Sequence, residues 1–104
     1  MMLTVVETPI FRRMVSGIWS DAEREAFIVF ISAHPLAGDV ITGAEGLRKV
    51  RWKREGMGKS GGTRVIYYTR LANGELVLVA IYAKAKFDNM PTEVLKSWKD
   101  AYDA

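Results

Sequence analysis

Residues 46–83 read GLRKVRWKREGMGKSGGTRVIYYTRLANGELVLVAIYA, and this stretch decides the fold. GLRKVRWKR and TRVIYYTRL are each short, rich in β-branched and aromatic residues, and separated by the glycine-rich turn EGMGKSGG, so they read as two strands. Ala72-Asn73-Gly74 follows as a hairpin signal, because Asn-Gly tolerates the positive φ angles of a tight turn. Glu75 to Ala83 is then almost wholly apolar and reads as a central strand buried on both faces.

Working outward, Leu3 to Glu7 reads as a short first strand. Thr8-Pro9 follows as an N-cap and a first helical proline, whose missing N–H costs nothing there. Ile10, Phe11, Met14, Val15 and Ile18 recur at helical spacing, and Gly17 weakens the end of that helix. Ser20-Asp21-Ala22-Glu23 is a capping-box pattern opening a second helix, with Ala26, Phe27, Phe30 and Ile31 as its apolar stripe and a stop before Pro35. Residues 35 to 46, with Pro35, Gly38, Gly43 and Gly46, read as a connecting loop. Pro91 to Tyr102 is helical, with Val94, Leu95, Trp98 and Tyr102 on one side. Trp52 and Trp98 read as core residues, and Trp19 as the staple at the start of the second helix. The expected fold is α+β, in the order β-α-α-β-β-β-α. It has an antiparallel sheet mixed at one edge, an N-terminal helix pair and a C-terminal helix, the helices lying on one side.

At 104 residues the chain is expected to form one domain, 1–104. A hydrophobic fraction of 49% with 26% charged residues excludes global disorder. With no cysteine, thiolate metal sites and iron–sulfur clusters are excluded, and no cofactor or metal is expected. No apolar run nears the roughly 20 residues of a membrane span, and MMLTVVETPI lacks the basic and apolar regions of a secretion signal. A cytoplasmic protein without membrane contact is the expectation.

The net charge of +3 conceals an asymmetry: residues 47–70 carry eight bases and only Glu55 as an acid, +7 against −4 for the rest. Such separation suits an anionic partner. Alternation puts Lys49, Arg51 and Lys53 on one strand face, with Val50 and Trp52 on the other. Arg64, Ile66 and Tyr68 share a face of the next strand, opposite Val65 and Tyr67. Matching faces across the hairpin would bring Lys49, Arg51 and Arg64 together near Tyr68, and the third strand adds Tyr82, Lys84 and Lys86 on one side. Several cations with one or two tyrosines fit a phosphodiester backbone with stackable bases. RNA carries its own nucleophile, so a cleaving site needs to align the 2′-hydroxyl, stabilise phosphoryl charge and move two protons. Arginine suits the second task, and a lysine crowded by other cations suits proton transfer. A non-catalytic module that binds RNA, the ribosome or a protein through the same basic face remains the alternative.

Other chemistries are weaker. Gly56-Met57-Gly58-Lys59-Ser60 is similar to the end of a phosphate-binding loop, but Lys53 stands where its first glycine belongs and no helix follows. His34, the sole histidine, sits at a helix end without a patterned partner, and Ser60 has no histidine near it in sequence.

The stretch GDVITGAEGLRKVRWKREGMGKSGGTRVIYY, with VVETPIF before it and IYAK after it, resembles the HigB-type toxins of the RelE superfamily. That resemblance implies a RelE-like toxin of a type II toxin–antitoxin system, a ribosome-dependent endoribonuclease that cleaves mRNA. It also implies contacts to ribosomal RNA, and a HigA-like helix-turn-helix antitoxin through which alone DNA is reached. By the same resemblance, Lys49 and Arg51 match paired basic residues before the hairpin, and Arg64 matches the arginine that stabilises the scissile phosphate. Lys84 matches a basic position ending the last strand. Ala85 and Lys86 stand where some relatives carry a further arginine, and the late tyrosine of the best-known branch has no counterpart. The acid and base are thus open among Lys49, Arg51, Lys84, Tyr68, Tyr82 and Lys86. Lys53, Arg54 and Lys59 are expected to grip ribosomal RNA.

Overall fold

The computed structural model describes residues 3–52, 62–83 and 90–103. Its order is β1 (Thr4–Glu7), α1 (Pro9–Val15), α2 (Asp21–Ala33), β2 (Asp39–Val40), β3 (Arg48–Trp52), β4 (Thr63–Arg70), β5 (Glu75–Ala83) and α3 (Thr92–Asp103). The five strands form one sheet in the order β1-β5-β4-β3-β2, antiparallel except where β1 runs parallel to β5 at one edge. The expected α+β class and the mixed edge are therefore both present.

Local chemistry accounts for the helix starts. Thr8 caps α1 by accepting from the Phe11 N–H, and Pro9 occupies the first turn, where its ring fits. Ser20 and Glu23 form the reciprocal capping box of α2, at 2.9 and 3.2 Å. Between β4 and β5 the chain makes a 3-10 turn over Leu71–Asn73, closed by Gly74 at φ +66°, instead of a two-residue hairpin turn. The positive φ falls on the glycine alone, so the asparagine is spared a left-handed conformation.

Two corrections concern layout. Residues 35 to 46 are not wholly loop: Asp39–Val40 pairs antiparallel with β3 as a two-residue edge strand too short to leave a periodic signal. And the helices do not lie on one side. Phe11 and Val15 of α1 and Phe27 and Ile31 of α2 pack with Val50, Val65, Tyr67, Leu76, Leu78 and Ile81 on one face. Leu95 of α3 packs with Ile66, Tyr68, Val77, Val79, Ala80 and Tyr82 on the other. The fully apolar β5 demands this, since a strand covered on one face only would leave half of its side chains in water. Trp19 is buried against Phe27, while Trp52 and Trp98 are partly buried against the two cores.

Candidate nucleic-acid interface

The β3–β4 register stands Arg51 directly opposite Arg64 and Lys49 opposite Ile66. The β4–β5 register stands Arg64 opposite Tyr82. Directly opposed residues on one face have Cβ atoms about 5 Å apart, so Arg51, Arg64 and Tyr82 form a row across three strands, with Lys49 one diagonal step away. Val50 and Val65 point into the opposite core, which fixes the cations on the α3 side of the sheet. Arg51 is exposed, Lys49 half-buried, and Arg64 only 6% exposed. Opposed like charges repel across a sheet, and an anion placed over the row would offset that repulsion.

Tyr82 is 3% exposed. Burial pushes its phenol above the ordinary tyrosine value, against the opposing pull of the Arg64 charge. At neutral pH it is therefore a protonated donor beside the arginines, able to bond an oxygen but not to take a proton.

Tyr68 stands elsewhere. It lies four residues along β4 from Arg64, about 13 Å at the rise of a strand. Its hydroxyl donates to Asp103 Oδ1 at 2.6 Å. Burial and the neighbouring carboxylate both push its phenol up. Arg70 pairs with the same Asp103, and Lys99 bonds the other oxygen at 3.0 Å. The structure thus brings Lys49, Arg51, Arg64 and Tyr82 together and engages Tyr68 with α3. Lys53, Arg54, Lys59, Lys84 and Lys86 lie outside the described residues, as does the 56–60 segment. Among the described residues no three His, Asp or Glu side chains gather as a metal would require.

Sequence reading missed what holds β3 in place. On the other face, Tyr67 reaches past β3 to residues 35–38: its hydroxyl donates to the Pro35 carbonyl and accepts from the Gly38 N–H, both at 2.8 Å. Arg48 donates to the Gly38 carbonyl at 2.7 Å. A Cβ on Gly38 would sit 2.8 Å from the Tyr67 ring and 3.0 Å from the Lys49 carbonyl, so only glycine fits between them. Gly38 was legible as a loop glycine, but its partner lies 29 positions away.

No protein-family model matches the chain. Among solved structures, it superposes on an arginine-to-alanine double mutant of the Escherichia coli toxin RelE in the free state, at TM-score 0.67 and 10% identity, over 95% of this chain and 98% of that one. It is similar to a chain of the RelBE2 toxin–antitoxin complex of Mycobacterium tuberculosis, at TM-score 0.61 and 18% identity, over 80% and 99%. It is also similar to the conserved hypothetical protein HP0892 of Helicobacter pylori in solution, at TM-score 0.60 and 16% identity, over 82% and 98%. The chain has the RelE-like fold, with a five-stranded mixed sheet and three helices among the described residues.

Proposed function

We propose that this chain is a single-domain toxin of a type II toxin–antitoxin pair, of the HigB type, acting in the cytoplasm as a ribosome-dependent endoribonuclease on mRNA. The observation that carries the reading is the row Arg51–Arg64–Tyr82, with Lys49 beside it, on one face of a RelE-like sheet. In the reaction, the RNA 2′-oxygen attacks the adjacent phosphorus and the bond to the 5′-oxygen breaks, leaving a 2′,3′-cyclic phosphate and a 5′-hydroxyl. One proton leaves the attacking oxygen and one reaches the departing oxygen. The rigid Arg64 and Arg51 forks neutralise charge as it grows on the phosphoryl oxygens. Lys49 holds the neighbouring phosphate or, when its amine is neutral, accepts the first proton, and the neutral Tyr82 phenol supplies a hydrogen bond at the reacting group. By the sequence resemblance, Lys84 serves as acid or clamp, and Lys53, Arg54, Lys59 and Lys86 hold ribosomal RNA. The partner that neutralises it is a HigA-like helix-turn-helix antitoxin, a reading that the RelBE2 complex among the similar structures supports.

Primer extension on a defined mRNA in reconstituted translation tests this, comparing wild type with Arg64→Ala, with and without ribosomes. Cuts that need ribosomes and vanish in the variant are expected. Cuts on free RNA would keep the nuclease and remove the ribosome. No cuts from folded wild-type protein would overturn the enzyme and leave a module that only binds.

A further inference from the structure

In a regular strand, alternate residues face the same side, so Leu76, Leu78, Ala80 and Tyr82 should share one face of β5. They do not. Leu76, Leu78 and Ile81 pack with the α1–α2 core, whereas Val77, Val79, Ala80 and Tyr82 pack on the α3 side. The exchange happens at a bulge: Ile66 pairs with Ala80 but the next residue, Tyr67, pairs with Leu78, leaving Val79 without a partner on β4. Continuing the Tyr67–Leu78 register without that extra residue would set Ile81, not Tyr82, opposite Arg64.

Carbonyls of consecutive strand residues ordinarily point to opposite sides. Here those of Leu78 and Val79 both point to one residue of the β1–α1 junction. The Thr8 N–H donates to the Leu78 carbonyl at 3.1 Å, and the Thr8 hydroxyl donates to the Val79 carbonyl at 3.0 Å. Thr8 is 1% exposed, so water does not stand in for that hydroxyl. The same oxygen accepts from the Phe11 N–H at 3.1 Å. One side chain therefore caps a helix and satisfies the carbonyl that the bulge turns away from β4.

We propose that Thr8 is a positioning residue for the RNA site: its hydroxyl holds the bulge at Val79, and the bulge turns Tyr82 onto the face of Arg51 and Arg64. Thr8 itself touches no substrate. Only the activity arm of the test rests on the RNA-cleavage reading; the geometric arm stands apart from it.

The test compares wild type, Thr8→Val and Thr8→Ser in the full chain. In the wild-type NMR spectrum, nuclear Overhauser effects link the Tyr82 ring to the Arg64 side chain, and the Thr8 hydroxyl proton exchanges slowly. Thr8→Val keeps the side-chain shape and loses those Tyr82–Arg64 effects; Thr8→Ser, which keeps the hydroxyl, retains them. In ribosome-dependent cleavage, kcat of Thr8→Val falls about tenfold or more while KM stays within about twofold, and Thr8→Ser stays near wild type. Ile31→Val, which trims the core away from the bulge, leaves kcat within about twofold and separates lost stability from lost position. A folded Thr8→Val with the Tyr82–Arg64 contacts intact, or with unchanged kcat in an active enzyme, overturns the inference. If Thr8→Val does not fold, a wild-type spectrum lacking the slow hydroxyl proton and the Tyr82–Arg64 contacts overturns it equally. A wild type with those contacts but no cleavage would instead count against the enzymatic reading.

Discussion

The two ends of β4 carry the same kinds of residue on the same face of the sheet and put them to different uses. At one end Tyr68 and neighbouring Arg70 meet Asp103 of α3, which accepts from the phenol and pairs with the guanidinium. The Arg70 charge also lies over the rings of Tyr68 and Tyr102. At the other end Arg64 stands opposite Arg51, cation against cation, with Tyr82 across from it. Tyrosine and arginine do not by themselves mark a site. What separates the ends is the facing element: a helix that brings a carboxylate, or a strand that brings another base.

The largest expected effect breaks the comparison at its charged end. Arg64→Lys keeps the charge but removes the rigid fork, and cleavage in the reconstituted system should fall about 100-fold with the thermal midpoint little changed. Equal activity would mean that charge alone suffices. Next, Tyr67→Phe strips the Pro35 carbonyl and the Gly38 N–H of their partner, at a cost of about 2–4 kcal/mol. Calorimetry should record a fall of at least about 8 °C, since each kcal/mol shifts a domain of this size by about 4–8 °C. A smaller shift would mean that β3 is held chiefly by its strand pairing.

Asp103→Ala tests the α3 end, leaving the Tyr68 phenol without its acceptor at a cost of about 1–2 kcal/mol in urea unfolding. Two pH windows should change with it. Burial raises the Asp103 carboxyl, but bonds from Tyr68, Lys99 and Arg70 outweigh burial and hold it below its usual 3.8. Its contribution is therefore present above that value and lost as pH falls through the folded value. Tyr68 is raised above its usual 10.0, by burial first and then by Asp103, so its contribution is full below pH 10 and lost as pH climbs beyond. Thermal midpoints in Asp103→Ala should flatten across the acid range and only in part across the alkaline range, where burial still raises Tyr68; an unchanged profile would deny the cluster its role. Smallest is Lys99→Ala, which removes an i,i+4 pair with Asp103 and should cost about 0.3–0.5 kcal/mol by the same urea measurement.

Much of this was legible because it is local. The caps at Thr8 and Ser20, the strand content of 63–83 and the shared face of Lys49 and Arg51 follow from spacing alone, and residues 3–52 and 62–83 carry them as expected. The covering of both sheet faces was implicit in ELVLVAIYA, since a strand buried on both sides needs a layer on each. Contacts that close over long separations were hidden. Periodicity assigns Tyr68 to the face of Arg64, but nothing in it says that Asp103, 35 positions on, will take its hydroxyl. Nor does a period-two reading anticipate a bulge, because one extra residue at Val79 reverses every face beyond it.

The parallel pairing of β1 with β5 joins Thr4 to Glu75 through Glu7 to Leu78, and the Thr8 hydroxyl meets Val79 across 71 positions. Closing so long a loop costs more chain entropy than closing either neighbouring hairpin, and that cost comes before any contact offsets it. Until β5 is made, β1 has no neighbour and Arg64 has no Tyr82. Arg51, Arg64 and Tyr82 meet across hairpins only 13 and 18 positions apart, so the cations pair locally, while the Thr8 contact that holds the bulge waits on the far longer closure.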